Sequence, residues 1–320
     1  MGVVEVTTAV PAVRSLISSR PLAVVIARAA VLSSLALLAG LNVAPAELTA
    51  QAAPVSMYVS VLDKGGTPVS GLAASEFVVR ENGIRREVLR VVQPATNPID
   101  IALVVDNTLA SAPHIQDLRA GVTAFVAALH EKNLIALVTF GDRPTIAVDF
   151  THDLAKLTGG IGHLFALPES GSYLLDALVD VSAGFVKRTP ERGAIVVVSF
   201  EGPELGNLRY QRVLEAIGES GAALSALVVN PQKADIRDDA VMSRHMVFDR
   251  GPALSGGVRH DLLTSMGLAD SMKLIARQLM NQYRVVYSRP ESLIPPDTFE
   301  VSVTRPGLEA HGTPPRRRSG

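Results

Sequence analysis

Asp106 and Thr108 stand two residues apart at the end of the apolar run Ile99-Asp100-Ile101-Ala102-Leu103-Val104-Val105. A carboxylate and a hydroxyl are hard oxygen donors. They fall in the loop where a buried strand hands over to a helix, which is where an open α/β sheet builds its ligand site. The pair suggests a hard cation. Asp106 fits a second role equally, as a cap for the helix that follows, and Thr108 can cap its own loop in the same way.

Other chemistry finds less support. The chain holds no cysteine, so it has no lipid-attachment thiol, no disulfide framework and no thiolate metal site. Its seven histidines, at positions 114, 130, 152, 163, 245, 260 and 311, show no pair at metal-ligand spacing, which speaks against zinc. His130-Glu131 lacks the second histidine of a metalloprotease helix, and His245 and His260 read as surface residues. No Gly-x-Ser-x-Gly turn presents a serine nucleophile. A Mg-dependent phosphohydrolase would also begin from a strand-end aspartate, but it needs a second carboxylate where Thr108 stands. A binding module, or a purely structural one, is expected ahead of an enzyme.

The elements around Asp106 follow from periodicity. Ile99–Val105 has the length and unbroken apolar character of a strand buried on both faces. Ile115, Leu118, Val122, Phe125 and Leu129 recur at spacings of three and four, one apolar helix stripe. Further strands are expected at 134–140, 146–150, 194–199 and 223–229. Further helices are expected at 154–164, around Leu174-Leu178-Val181-Phe185, around 213–217, and along Leu268-Met272-Ile275-Leu279. Residues 230–267 read as irregular, and Tyr283–Tyr287 as a last core strand. Such alternation predicts an α/β fold, a doubly wound and mostly parallel sheet.

Ahead of it, residues 54–94 read as a small β module. Asn82-Gly83 is expected to turn a hairpin between Phe77–Arg80 and Val88–Val92, and Gln93–Pro98 serves as a linker. Phe299–Thr304 is a final strand that could pair back with this module. The domain reading is therefore 1–52 export signal, 54–94 β module, 99–288 α/β domain, and 289–320 C-terminal strand and basic tail, with Arg316-Arg317-Arg318 solvated.

The signal reading rests on Arg14, Arg20 and Arg28, a nearly uncharged stretch from Ala29 to Ala46, and the small-x-small site Ala50-Gln51-Ala52. It predicts a periplasmic or extracellular chain that begins near Ala53. A retained membrane anchor is the alternative, because the apolar segment approaches spanning length. A content of 48% hydrophobic residues argues against a disordered chain. A net charge of -1 argues against nucleic acid as a partner.

Taken in order, several pieces resemble the von Willebrand factor type A domain, and more narrowly an exported bacterial family with an N-terminal β segment. They are Val69-Ser70-Gly71-Leu72 with Phe77 and Glu81-Asn82-Gly83, Ile101–Ser111, Ala136–Phe140, Gly171-Ser172-Tyr173-Leu174-Leu175-Asp176-Ala177, and Asn281-Gln282-Tyr283. The resemblance implies a Rossmann-like fold and a metal-ion-dependent adhesion site. In such a site three loops bring oxygens to Mg²⁺, which takes a nearly octahedral shell and keeps several waters. An acidic residue of a partner protein fills the remaining position.

Carried onto this chain, the metal set is Asp106, Thr108, Ser172 and Glu201. The match is partial. Ala110 stands at the third position of the first loop with Ser111 one residue late, Ser172 replaces a threonine, and Phe200 stands where an aspartate is expected. The resemblance thus implies a degenerate site in an exported protein-binding module, for adhesion or scaffolding. Each residue keeps a plainer reading: Ser172 as a loop cap, Glu201 as solvated loop surface, Asp142 and Asp149 as water-facing strand borders.

Overall fold

The computed structural model of the chain describes residues 52–231, 237–290 and 296–316. The expected export signal lies outside them except for Ala52, and so do Arg317 and Arg318.

The chain opens with β1 (Ala52–Leu62), β2 (Phe77–Glu81), β3 (Ile84–Arg86) and β4 (Val88–Val92). Asn82 and Gly83 have φ of 49° and 75°, and two successive positive φ values make the primed turn of a two-residue hairpin. The hairpin is present, but its return strand is β3 and not Val88–Val92. Glu81 is buried and held by Arg86 at 3.0 Å, and its other oxygen accepts from the Tyr287 hydroxyl at 2.8 Å. That ion pair fastens β3 to β2 and leaves β4 to join a different sheet.

The α/β layer contains β5 (Asp100–Val105), β6 (Leu134–Thr139), β7 (Thr145–Thr151), β8 (Gly193–Phe200), β9 (Ala222–Val229) and β10 (Arg259–Leu262). Their order is β10-β9-β8-β5-β6-β7, and every pairing is parallel except β6 with β7. Among the described residues six α-helices accompany them: α1 (Ile115–Leu129), α2 (Leu154–Gly162), α3 (Leu174–Arg188), α4 (Tyr210–Ser220), α5 (Asp239–Ser255) and α6 (Leu268–Met280). Alternation along β5 sends Ile101, Leu103 and Val105 to one face, where they meet Leu118, Val122 and Phe125 of α1 and Met272 and Ile275 of α6. Ala102 and Val104 go to the other face, against Leu174, Leu178, Val213, Ile217, Val247 and Phe248. The sheet is doubly wound, as the alternation of elements predicts.

Two expectations about the α/β layer fail. Residues 230–267 are not irregular, since they contain α5 and β10. The buried stripe of α5 is Ser243, Arg244, Val247, Phe248, Gly251, Pro252 and Ser255. It has helical spacing, but only two members are large and apolar, so the period does not show in the hydrophobic pattern. Nor does Tyr283–Tyr287 complete the parallel sheet, whose edge beyond β9 is taken by β10. It belongs to β11 (Tyr283–Pro290), which pairs antiparallel with β1 and β4. Tyr283, Val285 and Tyr287 are buried while their neighbours are only partly so, the alternation of a strand with one core face.

β12 (Phe299–Val303) pairs antiparallel with β2, and β13 (Glu309–Gly312) with β1. Both ends of the described chain therefore build one antiparallel region, packed around Met57, Val59, Phe77, Val79, Tyr283, Val285 and Tyr287. Arg316 is not solvated, because its guanidinium donates to the carbonyls of Ser220 at 3.1 Å and Pro190 at 3.3 Å. Among the described residues no helix is long and apolar enough to cross a membrane.

Candidate functional site

β5 and β8 are sheet neighbours whose onward connections leave in opposite directions, the switch point at whose carboxyl ends an open α/β sheet places its crevice. Asp106 sits at its floor, fully buried. Its Oδ1 accepts the Thr108 N–H at 2.8 Å and its Oδ2 accepts the Phe200 N–H at 2.9 Å. Asp106 thereby ties the end of β5 to the end of β8. Burial raises its carboxyl above the ordinary range, while the Thr108 side chain, the two amides and the charge of Arg244 act the other way. It does not cap α1 directly. Thr108 precedes a 3-10 segment, Leu109–His114, and α1 starts only after it.

The remaining candidates are divided between two partners outside the expected set. Ser172 is buried, donates its hydroxyl proton to Glu204 Oε2 at 2.6 Å, and accepts the Leu174 N–H at the start of α3 at 3.2 Å. Short bridges also join Ser172 to Gly141 and to Glu204. Glu201 is not solvated loop surface. Its Oε2 accepts from Arg244 Nη2 at 2.7 Å, and His245 Nε2 lies 4.0 Å from its Oε1 with little exposure. Phe200, in place of an aspartate, turns its ring into the core and stacks on His114, centroids 5.0 Å apart. Ser111 donates to the Thr108 carbonyl at 2.8 Å and so stabilises the turn rather than the crevice.

As arranged here these donors are engaged with one another, with the backbone and with Arg244 rather than open to Mg²⁺. Both oxygens of Asp106 accept backbone amides, the Ser172 proton is given to a carboxylate, and Glu201 is committed to a guanidinium. Among the described residues no three His, Asp or Glu side chains converge as a metal-ligand group.

Sequence reasoning missed Asn107, Glu204 and Arg244. Asn107 Oδ1 accepts the Gly141 N–H at 2.7 Å, and its carbonyl accepts the Leu167 N–H at 2.8 Å. Glu204 lies in a loop with no periodic signal, and Arg244 in a segment read as irregular.

Burial pushes the Glu204 carboxyl up from 4.5 to about 7, against the Ser172 hydroxyl, the Arg244 charge and the amides of Leu175 and Gly206, which favour the ionised form. The folded chain keeps this proton over a pH range in which the unfolded chain has released it. The associated stability is full below about pH 4.5 and is lost as pH rises through about 7. Glu204→Gln keeps the shape and cannot ionise. Its stability relative to wild type is expected to improve by about 2.5 kcal/mol between about pH 5 and pH 8. Denaturant melts at the two pH values check this, and a difference that stays constant with pH would contradict it.

Around the crevice the surface turns apolar. Leu109, Phe165, Leu167, Leu205, Leu263 and Met266 are all exposed, the last two at 88% and 84%. They lie on the loops that follow β5, α2, β8 and β10, so one end of the sheet carries them.

No family model matches the chain, and no curated protein matches it. Structures of von Willebrand factor type A domains are among those to which it is similar. One is the vWF domain of the type V pili tip protein Mfa5 from Porphyromonas gingivalis, 13% identical over 58% of this chain and 96% of that one, with a TM-score of 0.44. Another is a von Willebrand factor type A structure from Catenulispora acidiphila, 11% identical over 80% and 72% of the two chains, with a TM-score of 0.45. A third is proximal thread matrix protein 1 from the mussel byssus with a zinc-occupied MIDAS motif, 16% identical over 63% of this chain and 49% of that one, with a TM-score of 0.46. The chain spans about half of that third protein.

Proposed function

We propose that this chain is an exported protein-binding module of the von Willebrand type A kind, which docks its partner on the carboxyl end of the parallel sheet and carries out no catalytic step. The observation that supports this most is the concentration of Leu109, Phe165, Leu167, Leu205, Leu263 and Met266 on the loops of one end. Single exposed apolar side chains are ordinary, whereas a grouping of large ones marks an interaction surface. Beneath them, Asp106, Asn107 and Ser172 bond the loops to one another and give the surface a firm base. Apolar side chains of the partner, rather than an acidic residue reaching a metal, make the contact in this reading. The same surface serves adhesion or scaffolding.

Capture from an envelope extract tests it. Wild-type protein is expected to retain envelope proteins that Leu263→Asp/Met266→Asp loses. Leu254→Asp, an exposed leucine on α5 away from these loops, should retain them. Melting curves of all three check that each one folds. Equal capture by the double variant and wild type would sink the docking surface. N-terminal sequencing of the same protein from an export-competent host should begin near Ala53, and an intact N-terminus in the membrane fraction would rule out cleavage.

A further inference from the structure

We infer that the guanidinium of Arg244 is the resident cation of this crevice, holding the loops after β5 and β8 and the loop before α3 together so that no metal is needed. Arg244 projects from α5 and is 1% exposed. Its Nη2 donates to Glu201 Oε2 at 2.7 Å, its Nη1 donates to the Gly202 carbonyl at 2.7 Å, and Nη1 lies 3.8 Å from Glu204 Oε2. Through Glu204 the contact reaches Ser172 on the loop before α3, and through the Phe200 amide it reaches Asp106 at the end of β5. One side chain from a helix thus clamps the loop after β8, and that loop in turn bonds Ser172 before α3 and Asp106 at the end of β5, the three loops from which the resemblance would assemble a metal shell.

The chemistry suits arginine specifically. Its planar fork stays charged when buried and directs several N–H groups along fixed lines, whereas lysine offers a compact point charge. Glu201, little exposed beside it at 2.7 Å, needs a positive neighbour, and removing that neighbour leaves it uncompensated. A divalent ion entering beside Glu201 would meet a like charge across a short, poorly screened distance. The guanidinium and the metal therefore exclude each other. This inference goes beyond the docking surface and does not rest on it, since it concerns how the loops are held and not what they bind.

Hydrogen exchange of the full chain, followed over residues 106–111, 170–174 and 200–206, tests it together with melting curves. Millimolar Mg²⁺, Mn²⁺ or chelator should leave wild-type exchange and melting unchanged. Arg244→Met, close in length and neutral, should raise exchange in all three loops by roughly tenfold or more as their closed state loses stability. Arg244→Lys should fall between, because it keeps the charge and loses the fork. Arg244→Ala should recover protection in the same loops when millimolar methylguanidinium is added. A wild-type melt raised by metal or lowered by chelator would overturn the inference. So would Arg244→Met loops as protected as wild type, or loops equally exposed in the Met and Lys variants. Where the Met variant does not fold, the wild-type metal titration and the Lys variant decide.

Discussion

Gly257→Ala is expected to lower the melting temperature by roughly 10 °C or more, the consequence of losing about 4 kcal/mol in a domain of this size. Gly257 follows the left-handed Gly256 that ends α5, where the chain passes directly over β9. A Cβ there would lie 1.9 Å from the Leu224 carbonyl oxygen and 2.4 Å from its carbon. Neither atom can yield alone. The Leu224 amide donates to Ser255 Oγ at 2.8 Å and the Ala226 amide donates to the Val258 carbonyl at 2.8 Å, which stitches 255–258 to β9 on either side of the contact. Relief of the clash must part α5 and β10 from the sheet. Gly218→Ala is the control. It lies within α4 with nothing within 4 Å of its added carbon, so it should gain up to about 1 kcal/mol from helix propensity. Thermal melts of both variants decide, and a Gly257→Ala melt within a few degrees of wild type would show that the approach is looser.

Arg192→Met should cost nearly as much, about 4 kcal/mol, by leaving several buried acceptors without a donor. Arg192 stands just before β8, buried, with its guanidinium over the Tyr58 ring of β1, 5.0 Å from the centroid. It donates to Gln282 Oε1 at 2.6 Å, to the Asn97 carbonyl at 3.2 Å and to the Leu279 carbonyl. Gln282 passes the link on to Ser60 of β1 at 3.0 Å. A single side chain thus fastens the amino end of the parallel sheet to β1 and to the α6–β11 junction. Burial lowers the Arg192 pKa to about 10, so the cation persists at neutral pH. Urea melts of Arg192→Met measure the loss, and Arg192→Lys should recover only part of it because a compact ammonium lacks the spread, fixed donor lines of the guanidinium fork. A Met variant as stable as wild type would mean that the acceptors find other donors.

The doubly wound sheet was legible in the amino-acid sequence. β5, β6, β8 and β9 are buried on both faces and must be apolar throughout, and α1, α3 and α6 must present stripes at helical spacing. Asp106 was legible for the same reason: a strand end fixes its position, and a carboxylate there has few roles. Local pattern could not assign β11 to a sheet, because Tyr283–Tyr287 is apolar enough for either sheet and its pairing with β1 depends on residues more than 200 positions away. It concealed α5, whose buried stripe is made largely of serine, glycine, proline and arginine. It did not show the bonds of Glu201, Glu204 and Arg244, since the Glu201–Arg244 bond closes across 43 positions and the Ser172–Glu204 bond across 32. Periodicity is a property of neighbouring residues and specifies which faces are buried. Whether a buried carboxylate meets a metal or a guanidinium depends on which distant helix packs over it, and only the tertiary structure decides that.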